Sequence, residues 1–596
     1  MEKEWRMHAF RADFNKIAAE HKISPVTARV LVNRGLTEPE AIETYLHAGY
    51  EKTHDPFLMK DMEKACAIMA EKLKSGAHIR IISDYDVDGV MSNYILLKGL
   101  EGASRFARIS YEIPDRMTDG YGINERIVRD AHADGVDTLI TCDNGIAAFP
   151  ALTLAKELGM TVIVTDHHEV PYNLNENGEK EYTYVPADAI VDIKRPDCPY
   201  PCKEICGVTV AYKFIRALYK HMGLPWKNED YLIEFVGFAT VCDVMQLVDE
   251  NRIYVKKALE LLPRTENIGL QALLAANKLN GKKPSGYTFG FILGPCINST
   301  GRLESAKEGL GLLLTEDETE AAGMAQRIVA LNKERKDMMQ TGLERAIELV
   351  EAYYEADHVL VIYLPELHES LAGIVAGKVR EHFYKPVFVL TDSEDPQILK
   401  GSGRSIDSYH MFEAMSEIPE LFTKFGGHKK AAGFSVRKED LEKLRRTLNE
   451  REHLTEDDLI EKIHIDVPMP TSYPTVALCE ELDLLAPFGQ GNERPLFGEL
   501  RLAVKEARYF GDQNQYIRLK LMNAEGKTAE AVEFDAKKFI NCIKLWFPKE
   551  ECAKMLKGLP NGVRVDVIYY PEVNEYRGVK RVQIRPVDYR KSEEKS

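Results

Sequence analysis

The sequence has few of the features that mark secreted and membrane proteins. Only 10 of its 596 residues are cysteine, so a disulfide framework is excluded, and in a reducing compartment these residues should be thiols. No stretch approaches the roughly 20 uncharged apolar residues that a membrane helix needs. The first 16 residues lack the apolar core of a signal peptide. We therefore expect a cytoplasmic protein without membrane contact.

A net basic charge is also absent. Lys and Arg total 78 whereas Asp and Glu total 94, which gives a formal charge of −16. This balance excludes a generally basic nucleic-acid coat but leaves room for a local basic groove. Apolar residues make up 44% of the chain, which excludes wholesale disorder. The length is too great for one core and predicts about three or four domains.

The first half of the chain has the pattern of a parallel sheet covered by helices. Short runs rich in Ile and Val alternate there with helical stretches, as buried parallel strands do. The predicted strands are HIRIIS (78–83), DTLITC (137–142), TVIVTD (161–166) and DAIVD (188–192). The sequence therefore predicts an α/β domain that ends near residue 265.

The second half changes character twice. Residues 316–356 read as one long helix, with Thr315 and Glu318 as a capping box at its start. A second α/β segment follows, with strands predicted over 358–364 and 386–392 around a helix over 371–383. Short runs that alternate polar and apolar residues then predict a small antiparallel barrel. These runs are 516–522, 529–535, 563–570 and 578–587.

The first group of candidate functional residues is a row of three aspartates. Asp84, Asp86 and Asp88 directly follow a predicted strand and precede a helix. In an extended backbone, the spacing of two would point all three side chains to one side. Like charges so close repel one another unless a cation neutralises them, and carboxylates suit Mg²⁺ or Mn²⁺. The alternative is an ordinary acidic loop in which one aspartate caps the helix.

Three further loci carry carboxylates or imidazoles. Asp143 and the run Asp166, His167, His168 each follow a predicted strand, and Asp243 lies in an apolar helical run. A βα turn or a helix cap with two surface histidines would explain the first two equally well alone. Ligands bind outside the carboxyl ends of strands in open α/β sheets. The combination therefore favours a crevice that holds two divalent ions about 3.5–4 Å apart and hydrolyses phosphate esters.

A second set of residues suits the binding of phosphate. FGGHKKAAGF places His428 beside glycines and lysines, and such glycines let the backbone approach an anion. GSGRSID adds Arg404 and Ser405, and STGRLES adds Arg302. The alternative for the glycine-rich segment is a tight turn with surface lysines.

These motifs resemble those of a known enzyme family. DYDVDG, CDNG, TDHH and the later CD resemble the four motifs of the DHH phosphoesterase superfamily. Further landmarks are similar to those of the bacterial RecJ family, which are single-strand-specific DNA exonucleases. They are IPDRMTDGYGIN (113–124), KRPDCPYP (194–201), GPCINSTGRL (294–303), FGGHKKAAGFSV (425–436) and APFGQGNERPLF (486–497). The resemblance extends from about residue 70 to about residue 590.

The resemblance implies an α/β fold in which a DHH-type parallel-sheet domain is joined by a long helix to a second α/β domain, DHHA1. A C-terminal β-barrel of the OB-fold type follows. The implied domains are an N-terminal helical segment (1–60), the DHH catalytic domain (61–265), a helical connector (266–357), the DHHA1 substrate-binding domain (358–455), the OB-fold domain (456–590) and a tail (591–596).

The resemblance also implies roles for the metal-site residues. Asp86 and Asp88 are expected to bind one ion each, with Asp143 and Asp243 between the two ions. The expected cofactors are accordingly two divalent ions, Mn²⁺ or Mg²⁺. His167 is an expected ligand.

Two positions beside that ligand set have different expected roles. His168 is expected to face the scissile phosphate. Many members have a histidine two residues before the first aspartate, where this chain has Ile82. Asp84 or water would then complete the shell of the first ion.

The implied substrate is single-stranded DNA, degraded from 5′ to 3′ into mononucleotides during DNA repair and recombination. The expected substrate contacts are Arg302, His368, Arg404, Ser405 and His428. We expect a monomer that works with a helicase and a single-strand-binding protein. The alternatives are another DHH phosphoesterase, acting on oligoribonucleotides or cyclic dinucleotides, and a non-catalytic strand-binding scaffold.

The barrel would bind single strands by stacking bases on aromatic side chains in a positive groove. Aromatic residues in strands also commonly belong to the core. The candidates for contact are Tyr509, Phe510, Tyr516 and Tyr576, with Arg577, Lys580 and Arg581 supplying charge.

Overall fold

The computed structural model describes residues 3–116, 118–120, 122–226 and 229–593. They form two compact units. The first contains residues 50–461 and 489–491, and the second contains the remaining described residues before position 50 and after position 461. All ten cysteines are free thiols. No helix in the described part of the chain is long and apolar enough to cross a membrane.

The chain begins in the second unit with one strand and three short helices. These are β1 (Glu4–Met7), α1 (Phe14–His21), α2 (Pro25–Asn33) and α3 (Pro39–His47). We predicted a helical segment over residues 1–60, and the strand is a departure from that prediction. It forms because residues 4–7 pair in parallel with residues 462–465, a partner that no local pattern reveals. The helices share a hydrophobic core with the C-terminal barrel.

The first unit opens with an α/β domain. Its elements are α4 (Met62–Ser75), β2 (His78–Ser83), α5 (Val87–Ala103), β3 (Arg108–Glu112), α6 (Glu125–Ala133), β4 (Thr138–Cys142), α7 (Phe149–Glu157), β5 (Thr161–Asp166), β6 (Tyr172–Leu174), β7 (Lys180–Tyr182), β8 (Ala189–Asp192), α8 (Gly207–Met222), α9 (Glu229–Cys242) and α10 (Asp249–Leu261). Five strands form a parallel sheet in the order β3-β2-β4-β5-β8. The central strands are buried and nearly continuous in apolar residues, as expected for a sheet with helices on both faces.

A helical connector follows the sheet domain. It consists of α11 (Ile268–Ala276), α12 (Gly294–Leu303), α13 (Ala306–Leu314) and α14 (Glu318–Leu349). The long helix is present, but its cap differs from the predicted box of Thr315 and Glu318. Asp317 is the N-cap, and its side chain accepts hydrogen bonds from the backbone N–H groups of Thr319 and Glu320. An aspartate closer to the first turn satisfies these N–H groups more directly.

The second α/β domain completes the first unit. It contains β9 (Leu360–Tyr363), α15 (Ala372–Phe383), β10 (Val387–Asp392), β11 (Ile398–Arg404), α16 (Met411–Ser416), β12 (Lys424–Gly427), β13 (Ala431–Arg437) and α17 (Leu441–Arg451). Its sheet has the order β12-β13-β11-β10-β9, and only β9 and β10 are parallel. Buried apolar clusters cover both faces of the sheet, and α15 packs in one of them.

The second unit contains a closed barrel. Its elements are β14 (Lys462–Ile465), β15 (Val467–Pro468), α18 (Val476–Leu482), β16 (Phe497–Phe510), β17 (Tyr516–Met522), β18 (Thr528–Glu533), α19 (Ala536–Trp546), α20 (Lys549–Leu556), β19 (Arg564–Tyr576) and β20 (Val579–Lys591). The strands run β16-β17-β18-β20-β19, and pairing of β16 with β19 closes the ring. The last strand extends into the segment that we predicted as a tail. Residues 594–596 of that tail lie outside the described residues.

Candidate active site

The candidate site lies at the carboxyl ends of three neighbouring strands. Strands β2, β4 and β5 are adjacent in the parallel sheet, so the loops that follow them meet at one edge. Asp84, Asp143 and His167 are the first residues after these three strands. The hydrophobic pattern that forms these strands therefore places three chemically active side chains at the same edge of the sheet.

The row of three aspartates does not lie along an extended backbone. Asp86 is the N-cap of α5, and its Oδ1 accepts the N–H groups of Asp88 at 2.9 Å and Gly89 at 3.1 Å. Asp88 therefore lies in the first turn of α5. The extended backbone predicted for this row is wrong because the helix begins at Val87.

The position of Asp88 is fixed by the start of another helix. Its two carboxylate oxygens accept the backbone N–H groups of Gly207 at 2.6 Å and Val208 at 2.8 Å, at the N-terminus of α8. A side chain at position 207 would place a Cβ only 2.7 Å from the Cβ of Asp143. Glycine is thus required there for Asp88 and Asp143 to approach each other.

Three carboxylates surround one nitrogen of His167. Its Nε2 lies 3.1 Å from Asp143 Oδ1, 3.6 Å from Asp88 Oδ2 and 3.8 Å from Asp243 Oδ2. Burial and the nearby charge of His168 lower the pKa of His167 to about 3. The imidazole is therefore neutral near pH 7 and can offer a lone pair to a metal ion.

Asp243 follows the last residue of α9 and begins a tight turn. The next residue, Val244, has a φ of 57°. The Oδ2 atom of Asp243 is buried and accepts no hydrogen bond from the described residues. The same is true of Asp84 Oδ1. Such orphaned carboxylate oxygens are costly unless a cation is nearby.

His168 forms an ion pair with the aspartate of its own motif. Its Nδ1 lies 2.7 Å from Asp166 Oδ1. Burial opposes the charge on His168, but attraction to Asp166 outweighs it and raises the pKa of His168 to about 10. Asp166 also accepts the N–H groups of His167 and Ile146, and the pKa of Asp166 falls to about 2 despite its burial. The pair therefore presents a cationic imidazole at the site.

The chemistry of this donor set fits a divalent cation. Burial and repulsion between neighbouring carboxylates raise the pKa of Asp88 to about 7 and raise those of Asp84, Asp143 and Asp243 well above the usual range. A cation would remove that repulsion, and carboxylate with imidazole is a donor set that suits Mn²⁺ and Mg²⁺. Among the residues that the structure describes, three groups have ligand atoms within 4.8 Å of one another. They are Asp84, Asp86 and Asp143; Asp88, His167 and Asp243; and Asp143, His167 and His168.

Ile82 occupies the core rather than this site. Its side chain is fully buried in a cluster that includes Val128 and Leu152. The carboxylate of Asp84 instead stands beside those of Asp86 and Asp143.

Four of the predicted phosphate-binding residues lie in the second α/β domain, and Arg302, on α12 of the connector, contacts that domain. Arg302 donates from Nη1 to the backbone oxygen of Ser370 at 2.5 Å, and His368 lies 2.7 Å from the hydroxyl of Ser370 through its Nδ1. Burial and repulsion by Arg116 lower the pKa of Arg302 to about 10. Arg404 ends β11, and a Cβ on Gly373 would lie 3.0 Å from its Nη2.

A cleft of about 730 Å³ runs between the two α/β domains. Basic and small polar residues on its walls suit a phosphodiester backbone. These residues are Arg116, Lys400, Ser402, Lys424 and Ser435, and the walls also include Tyr85, Glu369 and Gly426.

Ser405 does not line this cleft. It is fully buried, and its hydroxyl donates to the backbone oxygen of Tyr409 at 2.8 Å. Side chains alternate along β11, so those of Ser402 and Arg404 lie on the same face of the strand. Ser405 comes after the end of the strand and is not on that face. His428 lies in the exposed β12–β13 turn, where its N–H donates to Ala431 O at 2.8 Å.

Sequence reasoning missed two residues that the structure brings to the site. The guanidinium of Arg116 lies 5.0 Å from the ring centre of Tyr85. Asn298, on α12, accepts the N–H of Val87 at 3.1 Å through Oδ1 and so holds the first residue of α5, between Asp86 and Asp88. Both residues fall within landmark segments, but spacing alone gave no chemical reason to select them.

The barrel carries a group of aromatic and cationic side chains. The rings of Phe510 and Tyr516 are 5.3 Å apart, and those of Tyr516 and Phe534 are 5.1 Å apart. The guanidinium of Arg585 lies 3.8 Å from the centre of the Phe534 ring. Phe534 and Arg585 were not predicted.

The other predicted barrel residues are more scattered. Tyr509 and Tyr576 are exposed, and Arg577 lies over the Tyr576 ring. Lys580 pairs with Glu480 at 2.6 Å, which reduces the charge it can offer to a phosphate.

Three family models match successive parts of the chain. The DHH family, N-terminal domain, matches residues 78–236, the DHHA1 domain matches residues 356–453, and the RecJ OB domain matches residues 465–588. Their order is that of the two α/β domains and the barrel.

Comparison with individual proteins gives the same result. The single-stranded-DNA-specific exonuclease RecJ of Bacillus subtilis is 34% identical over 573 residues, which cover 96% of this chain and 68% of that protein. The Escherichia coli enzyme of the same name is 29% identical over 94% of this chain and 95% of that protein. The crystal structure of RecJ from Thermus thermophilus with Mn²⁺ has a TM-score of 0.79 at 26% identity, covering 99% of this chain and 80% of that one. This chain belongs to the RecJ family of single-stranded-DNA-specific exonucleases.

Proposed function

We propose that this member of the RecJ family degrades single-stranded DNA from 5′ to 3′ and releases 5′-mononucleotides by metal-dependent hydrolysis. The observation that carries the proposal is the convergence of acidic side chains and two histidines from four separate segments at one sheet edge. These residues are Asp84, Asp86, Asp88, Asp143, His167, His168 and Asp243.

Two divalent ions, Mn²⁺ or Mg²⁺, are the proposed cofactors. Asp84, Asp86 and Asp143 would hold one ion, and a second group would hold the other. That second group is Asp88, His167 and Asp243. When bound, such a pair activates water for attack on phosphorus and neutralises charge on the phosphoryl oxygens. The relative from T. thermophilus is described as a complex with Mn²⁺, which supports the choice of metal.

The chain's own residues orient this chemistry. The N-terminus of α8 holds Asp88 through two N–H groups, and the capping bonds of Asp86 fix the start of α5. The imidazole of His168, which is paired with the buried Asp166, is 41% exposed. We assign His168 to the scissile phosphate, where its positive charge would stabilise developing negative charge and its Nε2 proton could reach the departing oxygen.

The cleft supplies the proposed contacts to the strand's end. Arg302 and Arg404 are mostly buried cations, and each has further arginines nearby. Buried guanidinium groups repel one another, and a phosphate bound between them would remove that repulsion and accept their hydrogen bonds. We propose that Arg404, Arg302 and Ser402 hold the terminal phosphate, with His368 and His428 farther along the strand.

A digestion of end-labelled DNA tests this function. We expect wild-type protein with Mn²⁺ to release labelled mononucleotide from a 5′-labelled single strand at once and from a 3′-labelled strand late. EDTA should abolish both, and a duplex should resist. Asp143→Ala should lose cleavage while still binding the strand. A dinucleotide-only activity would support another DHH phosphoesterase, and Asp143→Ala with normal turnover would contradict the site assignment.

The remaining expectations concern the cell. We propose a cytoplasmic monomer that depends on a helicase to supply single strands and on a single-strand-binding protein to keep them open. The proposed preference for unpaired strands supports the dependence on a helicase, since an enzyme with that preference needs the duplex to be separated first. Size-exclusion chromatography with light scattering tests the monomer. Digestion of a nicked duplex with and without an added helicase tests the dependence.

A further inference from the structure

An exposed aromatic pair lies on the connector between α11 and α12, outside the site described above. Tyr287 and Phe291 are 63% and 62% exposed. Their rings are nearly parallel, at 14°, with centres 4.9 Å apart. Single exposed aromatics are common on protein surfaces, but two stacked large rings that both face solvent form a patch.

The backbone beneath this pair is unusual. Residues 288–293 form a π-helical turn, which directly precedes α12. Such turns are rare and are frequently found at functional sites. The wider turn leaves Tyr287 and Phe291 on the outside while Phe289 and Leu293 are fully buried.

The pair lies close to the metal-binding residues. The thiol of Cys242 donates to the backbone oxygen of Phe289 at 3.5 Å. A Cβ on Gly290 would lie 3.3 Å from Val241 Cγ1. The π-helical turn is therefore packed against the last turn of α9, whose next residue is Asp243.

The charge of this segment differs from that of the rest of the chain. Residues 267–303 contain no Asp or Glu, although the whole chain has 94 such residues. The same stretch carries Lys278, Lys282 and Lys283, all with exposed side chains, and ends at Arg302. A segment that combines exposed aromatic rings with lysines and has no acidic residue in its sequence matches an anionic polymer with flat bases.

We infer that Tyr287 and Phe291 form a base-stacking platform for unpaired nucleotides of the substrate strand, with Lys282 and Lys283 contacting its phosphates. The inference rests on the proposed function and adds a second contact point near Asp243. Only unpaired bases can stack there, so the platform would contribute to the preference for single strands.

Binding of full-length protein in EDTA tests the platform without hydrolysis. The probes are a fluorescent oligothymidylate and an abasic oligomer of the same length. We expect Tyr287→Ala with Phe291→Ala to weaken binding of oligothymidylate about tenfold and to leave binding of the abasic oligomer unchanged. Phe106→Ala is the matched control, since Phe106 is 83% exposed at the opposite end of the sheet. Equal loss for both probes, or no loss for either, would overturn the inference.

A second measurement guards against a double variant that misfolds. Tyr287→Trp keeps an aromatic ring, and we expect its fluorescence to be quenched by oligothymidylate but not by the abasic oligomer. Quenching by neither probe would overturn the platform. Lys282→Gln with Lys283→Gln should reduce the salt dependence of binding by about one to two counterions.

These outcomes separate the inference from the proposed function. If the wild-type protein does not degrade single strands, the proposed function fails. If it does, and the double aromatic variant binds oligothymidylate normally, only the platform is refuted. A protein captured on this face with no effect on DNA binding would also refute it.

Discussion

Replacing Asp243 by asparagine should make the metal-free protein more stable and the enzyme inactive. Ligand atoms of Asp88 and Asp243 lie within 4.8 Å of each other. Two unit charges at that distance repel by about 3 kcal/mol at an effective dielectric constant near 20. Without metal, either the two carboxylates repel each other or one of them must be protonated near neutral pH, and both states destabilise the fold. Asn removes both, and Oδ2 of Asp243 has no hydrogen bond to lose among the described residues.

The assay is thermal unfolding near pH 8 in EDTA and in Mn²⁺, with exonuclease activity measured in parallel. We expect Asp243→Asn to raise the unfolding temperature in EDTA by several degrees, with about 3 kcal/mol as the ceiling. Mn²⁺ should stabilise the wild type more than the variant, and activity should fall more than about 100-fold.

Asp137→Asn is the matched control for that comparison. Asp137 accepts hydrogen bonds from Lys72 Nζ at 3.1 Å and from the N–H of His78 at 3.0 Å. Its loss should therefore destabilise the protein in both buffers. An Asp243→Asn variant that is destabilised in EDTA and gains as much from Mn²⁺ as the wild type would refute the reasoning.

Three further predictions concern single residues. Arg404→Ala removes a mostly buried cation that shares a strand face with Ser402 of the cleft. It should raise KM for a 5′-phosphorylated strand at least about tenfold and have less effect on a 5′-hydroxyl strand, and equal effects would contradict its role. Burial raises the pKa of Glu234 to about 7, so the free energy of unfolding should fall by up to about 3 kcal/mol as the pH rises from about 4.5 to 7. Glu234→Gln should flatten that fall when the free energy is measured by denaturant titration at each pH. An unchanged pH dependence in the variant would contradict this prediction. Asn298→Ala removes the hydrogen-bond acceptor of the Val87 N–H. It should raise the Mn²⁺ concentration needed for half-maximal activity and change the affinity for the strand little. Asn298→Asp keeps an acceptor oxygen and should need a Mn²⁺ concentration close to that of the wild type.

The strands that position the site could be predicted from sequence. β2, β5 and β17 begin and end where their patterns indicate, because buried parallel strands need continuous apolar runs and barrel strands need strict alternation. The carboxylates and histidines follow from the same pattern, since they come directly after the strands. Local sequence is enough for features that depend on neighbours along the chain.

The errors arose where side-chain direction depends on geometry beyond that pattern. Asp86 caps a helix, so Asp88 lies in a helical turn rather than on an extended strand, and a strand that ends at Arg404 leaves Ser405 buried. The pairing of β1 with β14 and the contact of Asn298 with the α5 loop join distant parts of the chain. None of these has a local signature.

Anomalous diffraction from crystals soaked in Mn²⁺ tests the central claim most directly. We predict two peaks at the manganese edge, one among Asp84, Asp86 and Asp143 and the other among Asp88, His167 and Asp243. Peaks elsewhere, or no peak between these carboxylates at full occupancy of the soak, would contradict the account.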